Sequence, residues 1–158
     1  MDAIESSALN EGDKTEVFEL LQDPDVMRYL GPRRPLTDSE AQAWFDEARH
    51  TPSRLVFRHC QSQQLIGFCG IKQIDGEWDF GYFLRRPFWG QGYASRMCQI
   101  AIAELAPRTD FTRLHLFIAD DNTGSLKVAN RLGWQRIGDH HNGYEQGALF
   151  RIPSDKTP

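Results

Sequence analysis

The stretch that decides the fold is FLRRPFWGQGYAS, residues 83–95, in which an apolar strand passes through a glycine-rich bend into an amphipathic helix. Upstream, residues 78–84 alternate with a period of two and carry aromatic side chains on one side, which predicts a strand. Downstream, apolar residues recur at helical spacing from Ala94 to Leu105, which predicts a helix of about four turns with one buried face. The chain should therefore form a strand, a tight bend and a helix in direct succession.

The bend contains two glycines, Gly90 and Gly92, and it is suited to binding an anion. Glycine lets the backbone turn tightly and approach a ligand, and the first N–H groups of the helix have no partner within it. Each charge-assisted N–H contact contributes about 1.5–3 kcal/mol, so a phosphate could bind without a lysine. A merely tight strand-to-helix connection explains the glycines equally well. The dinucleotide fingerprint is nearly matched, with Ser95 in place of its third glycine, whereas the lysine of a P-loop is absent.

Two motifs together resemble the GNAT superfamily of acyl-CoA N-acyltransferases. The first is WGQGYA at residues 89–94, preceded by Gly81-Tyr82. The second begins near the end of the chain and comprises Asn122, Ser125 and Val128, followed by LGW at residues 132–134. Within the superfamily, the chain is similar to the ribosomal-protein N-acetyltransferases of the RimJ and RimL type. The similarity extends over residues 10–140.

The resemblance implies a single GNAT acetyltransferase domain over residues 1–158, with an α/β (α+β) fold. Its central sheet would be mixed but mostly antiparallel, with about six to seven strands and about four flanking helices. Two parallel strands of this sheet would splay apart in a V shape. The apolar run at residues 114–118 would be the second of these strands, parallel to the strand before the bend.

The resemblance also implies that acetyl-CoA binds at the bend as the co-substrate and acyl donor. Backbone N–H groups near Phe83 and Leu84 would bind and polarise the acetyl carbonyl in the splay. Asn122 would contact the pantetheine arm, although it could also be no more than a helix N-cap. The cofactor-binding residues assigned in this way are Phe83, Leu84, Trp89, Gly90, Gln91, Gly92, Tyr93, Ala94, Ser95 and Asn122.

Two side chains, Asp79 and Ser125, are candidates for catalysis. The reaction implied is direct attack of an amine on the thioester in a ternary complex. Asp79 would relay the amine proton, but a carboxylate of ordinary pKa, about 3.9, is a weak base, so this role requires burial or a water chain. Ser125 would donate to the leaving thiolate, because Ala129 stands where many members have tyrosine. The alternatives are a structural or substrate-orienting carboxylate and a thiolate that leaves without an acid.

The acceptor is expected to be a protein N-terminal amine or a small-molecule amine. An α-amine of pKa about 7.8 costs about 1 kcal/mol to neutralise at pH 7, whereas a lysine amine costs about 4.6 kcal/mol. Two alternatives stay open at this point. The chain could be a polyamine or aminoglycoside acetyltransferase, or a non-catalytic acyl-CoA-binding regulatory module. A homodimer is compatible with the resemblance.

Composition excludes several other classes. The 158 residues include 18 lysines and arginines and 22 acidic residues, for a net charge of −4. This charge argues against nucleic acids and anionic membranes as partners. Neither a signal peptide nor a membrane span is recognisable, so a cytoplasmic location is expected. The three cysteines form no C-x-x-C pair and the histidines have no ligand spacing, so we expect no metal and structural cysteines.

Local signals predict several element ends. Asp13 is read as a helix N-cap, and Thr37 with Glu40 as a capping box. Dipeptides at residues 75–76 and 142–143 are hairpin turn signals. Ser7 stands where the first strand of related chains generally has arginine, which weakens any assignment of the acceptor.

Overall fold

The computed structural model describes residues 3–74 and 77–153, and this part of the chain contains seven strands and four α-helices. Short 3-10 turns lie in several connections, among them Val26–Tyr29, Arg86–Phe88, Ala106–Arg108 and Phe111–Arg113. In chain order the elements are β1 (Ile4–Ser7), α1 (Lys14–Leu21), α2 (Asp38–Ala48), β2 (Arg54–His59), β3 (Leu65–Ile74), β4 (Glu77–Leu84), α3 (Tyr93–Leu105), β5 (Leu116–Ala119), α4 (Thr123–Leu132), β6 (Gln135–His141) and β7 (Gln146–Arg151).

The strands form two antiparallel sheets that meet at one point. The first sheet has the order β1-β2-β3-β4, and the second has the order β5-β7-β6. Within the described residues, the parallel strands β4 and β5 are joined by a single bridge between Asp79 and His115. Because the two strands do not pair beyond this bridge, they separate towards their carboxyl ends. The predicted α+β fold with a V-shaped splay is therefore confirmed.

The close pairing of β5 with β7 depends on a glycine. Gly147 lies opposite Ala119 in the register. A Cβ added at Gly147 would lie 2.2 Å from the carbonyl oxygen of Ile118, which no real side chain tolerates. Glycine at this position therefore lets β7 approach β5 on the side away from the splay.

Two hydrophobic clusters cover the opposite faces of the first sheet. On one face, Phe80 of β4 belongs to a cluster with Met97 of α3 and Ile118 of β5. On the other face, Phe83 packs between Phe68 and Trp44, with ring centroids 5.4 and 5.7 Å from its own. The alternation along β4 therefore directs successive side chains to α3 and α4 on one side and to α1 and α2 on the other.

Most local signals in the sequence are confirmed by the structure. Thr37 and Glu40 form the predicted capping box at the start of α2. Gly133 ends α4 with φ of +73°, and Gly143 forms the turn between β6 and β7 with φ of +94°. The turn signal at residues 75–76 lies outside the described residues.

Two expectations about element ends differ in detail from the structure. Asp13 is the N-cap residue of α1, as predicted, but it makes no side-chain capping bond to that helix, because its carboxylate is paired with Arg58 instead. The strand expected at residues 114–118 begins at Leu116, because Leu114 completes a 3-10 turn by donating its N–H to the carbonyl of Phe111.

The pair of Arg58 and Asp13 is buried beneath the first sheet. Arg58 Nη1 and Nη2 lie 2.6 and 2.5 Å from the two carboxylate oxygens of Asp13, and Arg58 Nε donates to Ser7 Oγ at 2.6 Å. Burial would raise the pKa of Asp13, but hydrogen bonds from Arg58 and from the Asn10 amide outweigh it and lower that pKa. Arg58 on β2 thus ties the end of β1 to the start of α1.

We expect Arg58→Met to lower the free energy of unfolding by about 3–5 kcal/mol, because it leaves the Asp13 carboxylate buried without its partner. Urea denaturation measures the change. The matched control is Arg49→Met, which removes a half-exposed pair with Glu11 and should cost about 0–1 kcal/mol. Equal losses for the two variants would contradict a special role for the buried pair.

Candidate active site

The bend after β4 has a shape that only glycine adopts easily. Gly90 has φ of +71° and Gly92 has φ of +87°, both in the left-handed region. No atom lies within 4 Å of the position that a Cβ on Gly90 would take. Gln91 Nε2 donates to the carbonyl of Pro87 at 2.8 Å and fixes the bend from within. The backbone of Gly90 therefore presents an open surface.

The bend ends in the amino terminus of α3, whose N-cap is Gly92. Arg96 N–H donates to the carbonyl of Gly92 at 3.2 Å, which is the first hydrogen bond within the helix. The amides of Tyr93, Ala94 and Ser95 precede this bond and have no helical carbonyl to bind. The dipole of this 13-residue helix adds positive potential at the same end. The geometry suits an anion bound by main-chain groups.

The side chains around this helix end are mostly turned into the protein. Tyr93 and Ser95 are buried, and the Tyr93 ring lies edge-on to Phe88 with centroids 5.6 Å apart. The Tyr93 hydroxyl lies 3.2 Å from His59 Nε2. Main-chain amides, rather than these side chains, are therefore what the bend offers to a ligand.

Trp89 stands at the mouth of the splay. Its indole N–H donates to the carbonyl of Leu84 at 2.8 Å, and the side chain stays 41% exposed. This hydrogen bond fixes the plane of the ring next to the last residue of β4. Trp89 thus forms a rigid apolar wall between the strand and the bend.

The register of β4 decides which amides face the splay. Arg85 N–H donates to the carbonyl of Ile66 at 2.8 Å, so this pair is hydrogen-bonded and the alternation along the antiparallel ladder follows from it. Phe83 consequently exchanges its main-chain bonds with β3. The amides of Tyr82 and Leu84 point the other way, towards β5, which pairs with β4 only at His115 in the described part of the chain.

Asn122 and Ser125 are brought together at the start of α4. Asn122 is the N-cap, and its Oδ1 accepts from the Ser125 N–H at 3.3 Å. The structural alternative for Asn122 is therefore present in the molecule, and it positions Ser125 over the splay. Ser125 Oγ in turn accepts a hydrogen bond from the Tyr82 hydroxyl at 2.8 Å.

Tyr82 is a functional candidate that the sequence reasoning missed. Burial raises the pKa of its hydroxyl far above the ordinary value, so the group stays protonated and acts as a donor. Its ring lies beside Trp134, with centroids 6.4 Å apart. The available signal was its parity in β4, which directs it to the same face as Phe80 and therefore towards α3 and α4.

Asp79 lies half-buried at the bridge between the two sheets, on the face opposite Tyr82 and Ser125. Desolvation by burial raises its pKa to about 6. Lys72 is directly opposite in the register, yet its Nζ pairs with Glu47 Oε1 at 3.2 Å. Within the described residues, the carboxylate of Asp79 has no ion-pair partner. With its raised pKa, Asp79 is a stronger base than an ordinary aspartate.

A cavity of about 860 Å³ opens beside Asp79 at the amino ends of β4 and β5. Its walls include aromatic side chains and two arginines from the segment that follows α3. Its lining includes Trp78, Asp79, Arg108, Asp110, Arg113, Phe117 and His140.

Two of the three cysteines are packed in the core. Cys69 and Cys98 are buried with sulfur atoms 4.0 Å apart, and burial raises the pKa of the Cys69 thiol. In residues 3–74 and 77–153, no cluster of three or more histidine, cysteine or acidic side chains could hold a metal ion. No helix in that same part of the chain combines the length and the apolar character needed to cross a bilayer.

The predicted site residues thus fall into three groups around the splay. The bend and the start of α3 form the first group, and the end of β4 forms the second. The third is the start of α4. Asp79 faces the other side of the sheet.

Comparison with known proteins gives the family. Residues 7–135 match the family model described as an acetyltransferase (GNAT) domain. The uncharacterized N-acetyltransferase p20 of Bacillus licheniformis is 29% identical over 127 residues, which are 73% of this chain and 70% of that protein. An acetyltransferase of the GNAT family from Bacillus anthracis has a TM-score of 0.73 at 18% identity, covering 93% of this chain and 91% of the other.

A second solved structure is that of spermidine N-acetyltransferase from Vibrio cholerae in complex with CoA and spermine. It has a TM-score of 0.71 at 20% identity and covers 94% of each chain. These likenesses agree on the fold, and the family model spans most of the sequence, including the bend and both strands of the splay. The chain belongs to the GNAT acetyltransferase superfamily and is an acyltransferase.

Proposed function

We propose that residues 1–158 form one acetyltransferase domain, which transfers an acetyl group from acetyl-CoA to a primary amine by direct attack in a ternary complex. The acceptor is a protein N-terminus or a small molecule. The observation that carries the proposal is the row of unpaired amides at the start of α3, next to strands that separate. From the two sequence motifs we also place the chain in the RimJ/RimL-like branch, and we keep the cytoplasm as its expected location.

The bend fits the diphosphate of coenzyme A. The amides of Tyr93, Ala94 and Ser95, with the open backbone of Gly90, present donors and positive potential without a steric barrier. Trp89 and Gln91 hold the shape of the bend, and Asn122 lies across the splay on α4. Several charge-assisted contacts of about 1.5–3 kcal/mol each would be sufficient for micromolar binding.

The splay would bind the acyl group of the donor. The thioester supplies an electrophilic carbonyl, and the Leu84 amide, which faces the gap, donates to its oxygen as negative charge develops there. The Tyr82 amide lies two residues earlier in β4 and faces the same gap. We therefore assign the polarising role to Leu84, while Phe83 holds β4 in place through its ladder bonds to Phe68.

Asp79 would take the proton of the attacking amine through a chain of waters, because about 16 Å of extended strand separates it from Leu84. With a pKa of about 6, the carboxylate is ionised at neutral pH and is a better base than an ordinary aspartate. The remaining mismatch with an α-amine of pKa about 7.8 is small, so this acceptor needs less help than a lysine. Asp79 acts from the α1–α2 face of the sheet.

The Tyr82–Ser125 hydroxyl pair would protonate the leaving thiolate from the opposite face. Ser125 accepts from Tyr82, so its own hydroxyl hydrogen is free to point at another acceptor. When Ser125 gives up this proton, Tyr82 stays protonated and continues to donate to the Ser125 oxygen, and a proton from solvent then restores the Ser125 hydroxyl. The base and the acid are thereby kept on opposite faces of β4, where they cannot neutralise each other.

We expect Gly92→Asp to weaken coenzyme A binding by at least about 100-fold, because it adds a negative charge at the proposed diphosphate site. Isothermal titration calorimetry measures the affinity. Gly92→Asn is the matched control, since asparagine has the same shape without the charge and tolerates the left-handed region. Gly143→Asp places the same side chain at another glycine of positive φ and should bind normally. Unchanged affinity in Gly92→Asp would refute the placement.

Asp79→Asn should lower kcat/KM by about 100-fold and remove the acidic limb of the pH–rate profile, which is expected near pH 6 in the native enzyme. The measurement is thiol release against a peptide amine at a series of pH values. An unaltered rate and profile would remove Asp79 from the proton path.

The same variant has a stability readout that does not depend on turnover. A carboxyl with a raised folded-state pKa destabilises the fold once it ionises, so the penalty is absent below pH 4 and complete above pH 6. Asp79→Asn should therefore be stabilised by about 1–2 kcal/mol at pH 8 and by almost nothing at pH 4. Equal effects at both pH values would mean that the pKa is ordinary.

Ser125→Ala and Tyr82→Phe should each lower kcat by about tenfold, and the double variant should lose little more, because the two hydroxyls act as one hydrogen-bonded pair. Steady-state kinetics with saturating acetyl-CoA makes the measurement. Tyr144→Phe, which removes an exposed hydroxyl elsewhere, is the control. Fully additive losses would show that the hydroxyls act separately.

A further inference from the structure

We propose that the acceptor amine carries an anionic group at its other end, and that Arg108 and Arg113 bind this group. The inference rests on the proposed acetyl transfer at Asp79 and specifies the acceptor that this site would take. It is carried by the cavity beside Asp79, by two arginines at its rim that have no ion-pair partner in the described part of the chain, and by the pairing of Glu145 and Asp121 with arginines.

The cavity of about 860 Å³ is the space through which an amine would reach Asp79. Its lining comes from both faces of β4 at this end, because it includes Trp78 and Leu105 as well as Asp79 and Phe117. Phe117 of β5 and His140 of β6 form part of its wall and contact each other, with ring centroids 5.9 Å apart. Trp78, which is 51% exposed, stands beside Asp79. The wall thus gives a carbon chain an apolar surface next to the carboxylate.

At the other end of these strands, an ion pair joins two connections of the chain. Arg33, in the connection between α1 and α2, donates from Nε and Nη2 to the two oxygens of Glu145 at 2.7 and 3.1 Å. Its guanidinium also lies over the Tyr144 ring, 4.0 Å from the centroid. These contacts join the α1–α2 connection to the turn between β6 and β7, near the bend. The cavity lies at the opposite ends of the strands.

Two acidic groups near the carboxyl end of β5 are already paired with arginines. Glu145 is paired with Arg33, and Asp121 is paired with Arg28 at 3.0 Å. A polyamine that placed one nitrogen at Asp79 would find these carboxylates already bound by arginines. The region around Glu145 and Asp121 therefore offers little to a second positive charge.

The rim of the cavity is positively charged. Arg108 ends the 3-10 turn that follows α3, and Arg113 ends the next one. Both are exposed, and neither has an ion-pair partner among the described residues. Asp110, the acidic group between them, accepts hydrogen bonds from the N–H and hydroxyl of Thr112. Asp110 also lines the cavity and keeps its charge, so the three side chains together give the rim one net positive charge.

The bases of these two arginines are held in place by the core. Leu105 and Phe111, which precede them, are buried at 1% and 7% exposure. The N–H of Arg113 donates to the carbonyl of Asp110 at 3.1 Å. Two guanidinium groups on an anchored segment suit a carboxylate, which accepts bidentate hydrogen bonds, and repel a second ammonium. The site therefore matches a molecule with an amine at one end and an anion at the other.

The test compares acceptors that differ in one end group. Two matched triplets are used: δ-aminovalerate, its amide and cadaverine, and a tripeptide amide with glutamate, glutamine or lysine after its N-terminal alanine. We expect the anionic member of the acetylated triplet to have a kcat/KM about tenfold above the neutral member, which in turn exceeds the cationic member. The full chain with acetyl-CoA is used throughout.

The variants assign the effect to the two arginines. An Arg108→Ala, Arg113→Ala double variant should lose about tenfold in kcat/KM for the anionic acceptor, mainly through KM, and should act on the neutral acceptor normally. The corresponding double lysine variant should recover part of the loss. Arg131→Ala, which removes an exposed arginine from α4, should change nothing.

Each outcome separates the inference from the proposed function. Equal or better turnover of the neutral or cationic acceptor, or a double variant that retains the native preference, would overturn the inference and leave acetyl transfer standing. Failure to acetylate any of the six acceptors, despite acetyl-CoA binding, would count against acetyl transfer to an amine itself, and the inference would fall with it.

Discussion

The structure depends on a parallel contact between β4 and β5 that is limited to one bridge in the described part of the chain. Strands β4 and β5 meet at Asp79 and His115, and beyond this bridge each strand is held from its outer edge. β4 pairs with β3 over eight residues, and β5 pairs with β7 over four. The two strands therefore stay apart without any group between them. The main free-energy cost of this separation comes from the unpaired amides of β4 that face the gap. An unsatisfied buried amide costs about 1–3 kcal/mol, so these donors are poised to gain from an acyl oxygen.

The period of two along β4 distributes the chemistry of the site. Asp79 and Phe83 face α1 and α2, whereas Phe80 and Tyr82 face α3 and α4. One strand thus sends its carboxylate and its hydroxyl to opposite sides of the bound thioester. The same alternation anchors the strand in both hydrophobic clusters, so the positions of Asp79 and Tyr82 are fixed by the packing of their aromatic neighbours.

The sequence predicts those parts of the site that depend on local chemistry. The bend, the start of α3 and the cap at Asn122 follow from glycine, helical spacing and side-chain capping within a few residues. The amide that faces the splay could not be assigned in this way, because Phe83 and Leu84 exchange roles if the register with β3 moves by one residue. The Tyr82–Ser125 and Arg58–Asp13 bonds join residues 43 and 45 positions apart, and no local pattern indicates such pairs.

The basicity of Asp79 depends on Lys72, which lies opposite it but forms its ion pair with Glu47. Lys72 is its cross-strand partner, and a lysine turned towards it would lower its pKa, as Arg58 does for Asp13. Glu47 on α2 draws the Lys72 ammonium away, so burial acts on Asp79 without opposition. The capping box at Thr37 fixes the start of the helix that carries Glu47. The pKa of the proposed base is therefore controlled indirectly by Glu47 on α2, which binds the Lys72 ammonium and so keeps it from pairing with Asp79.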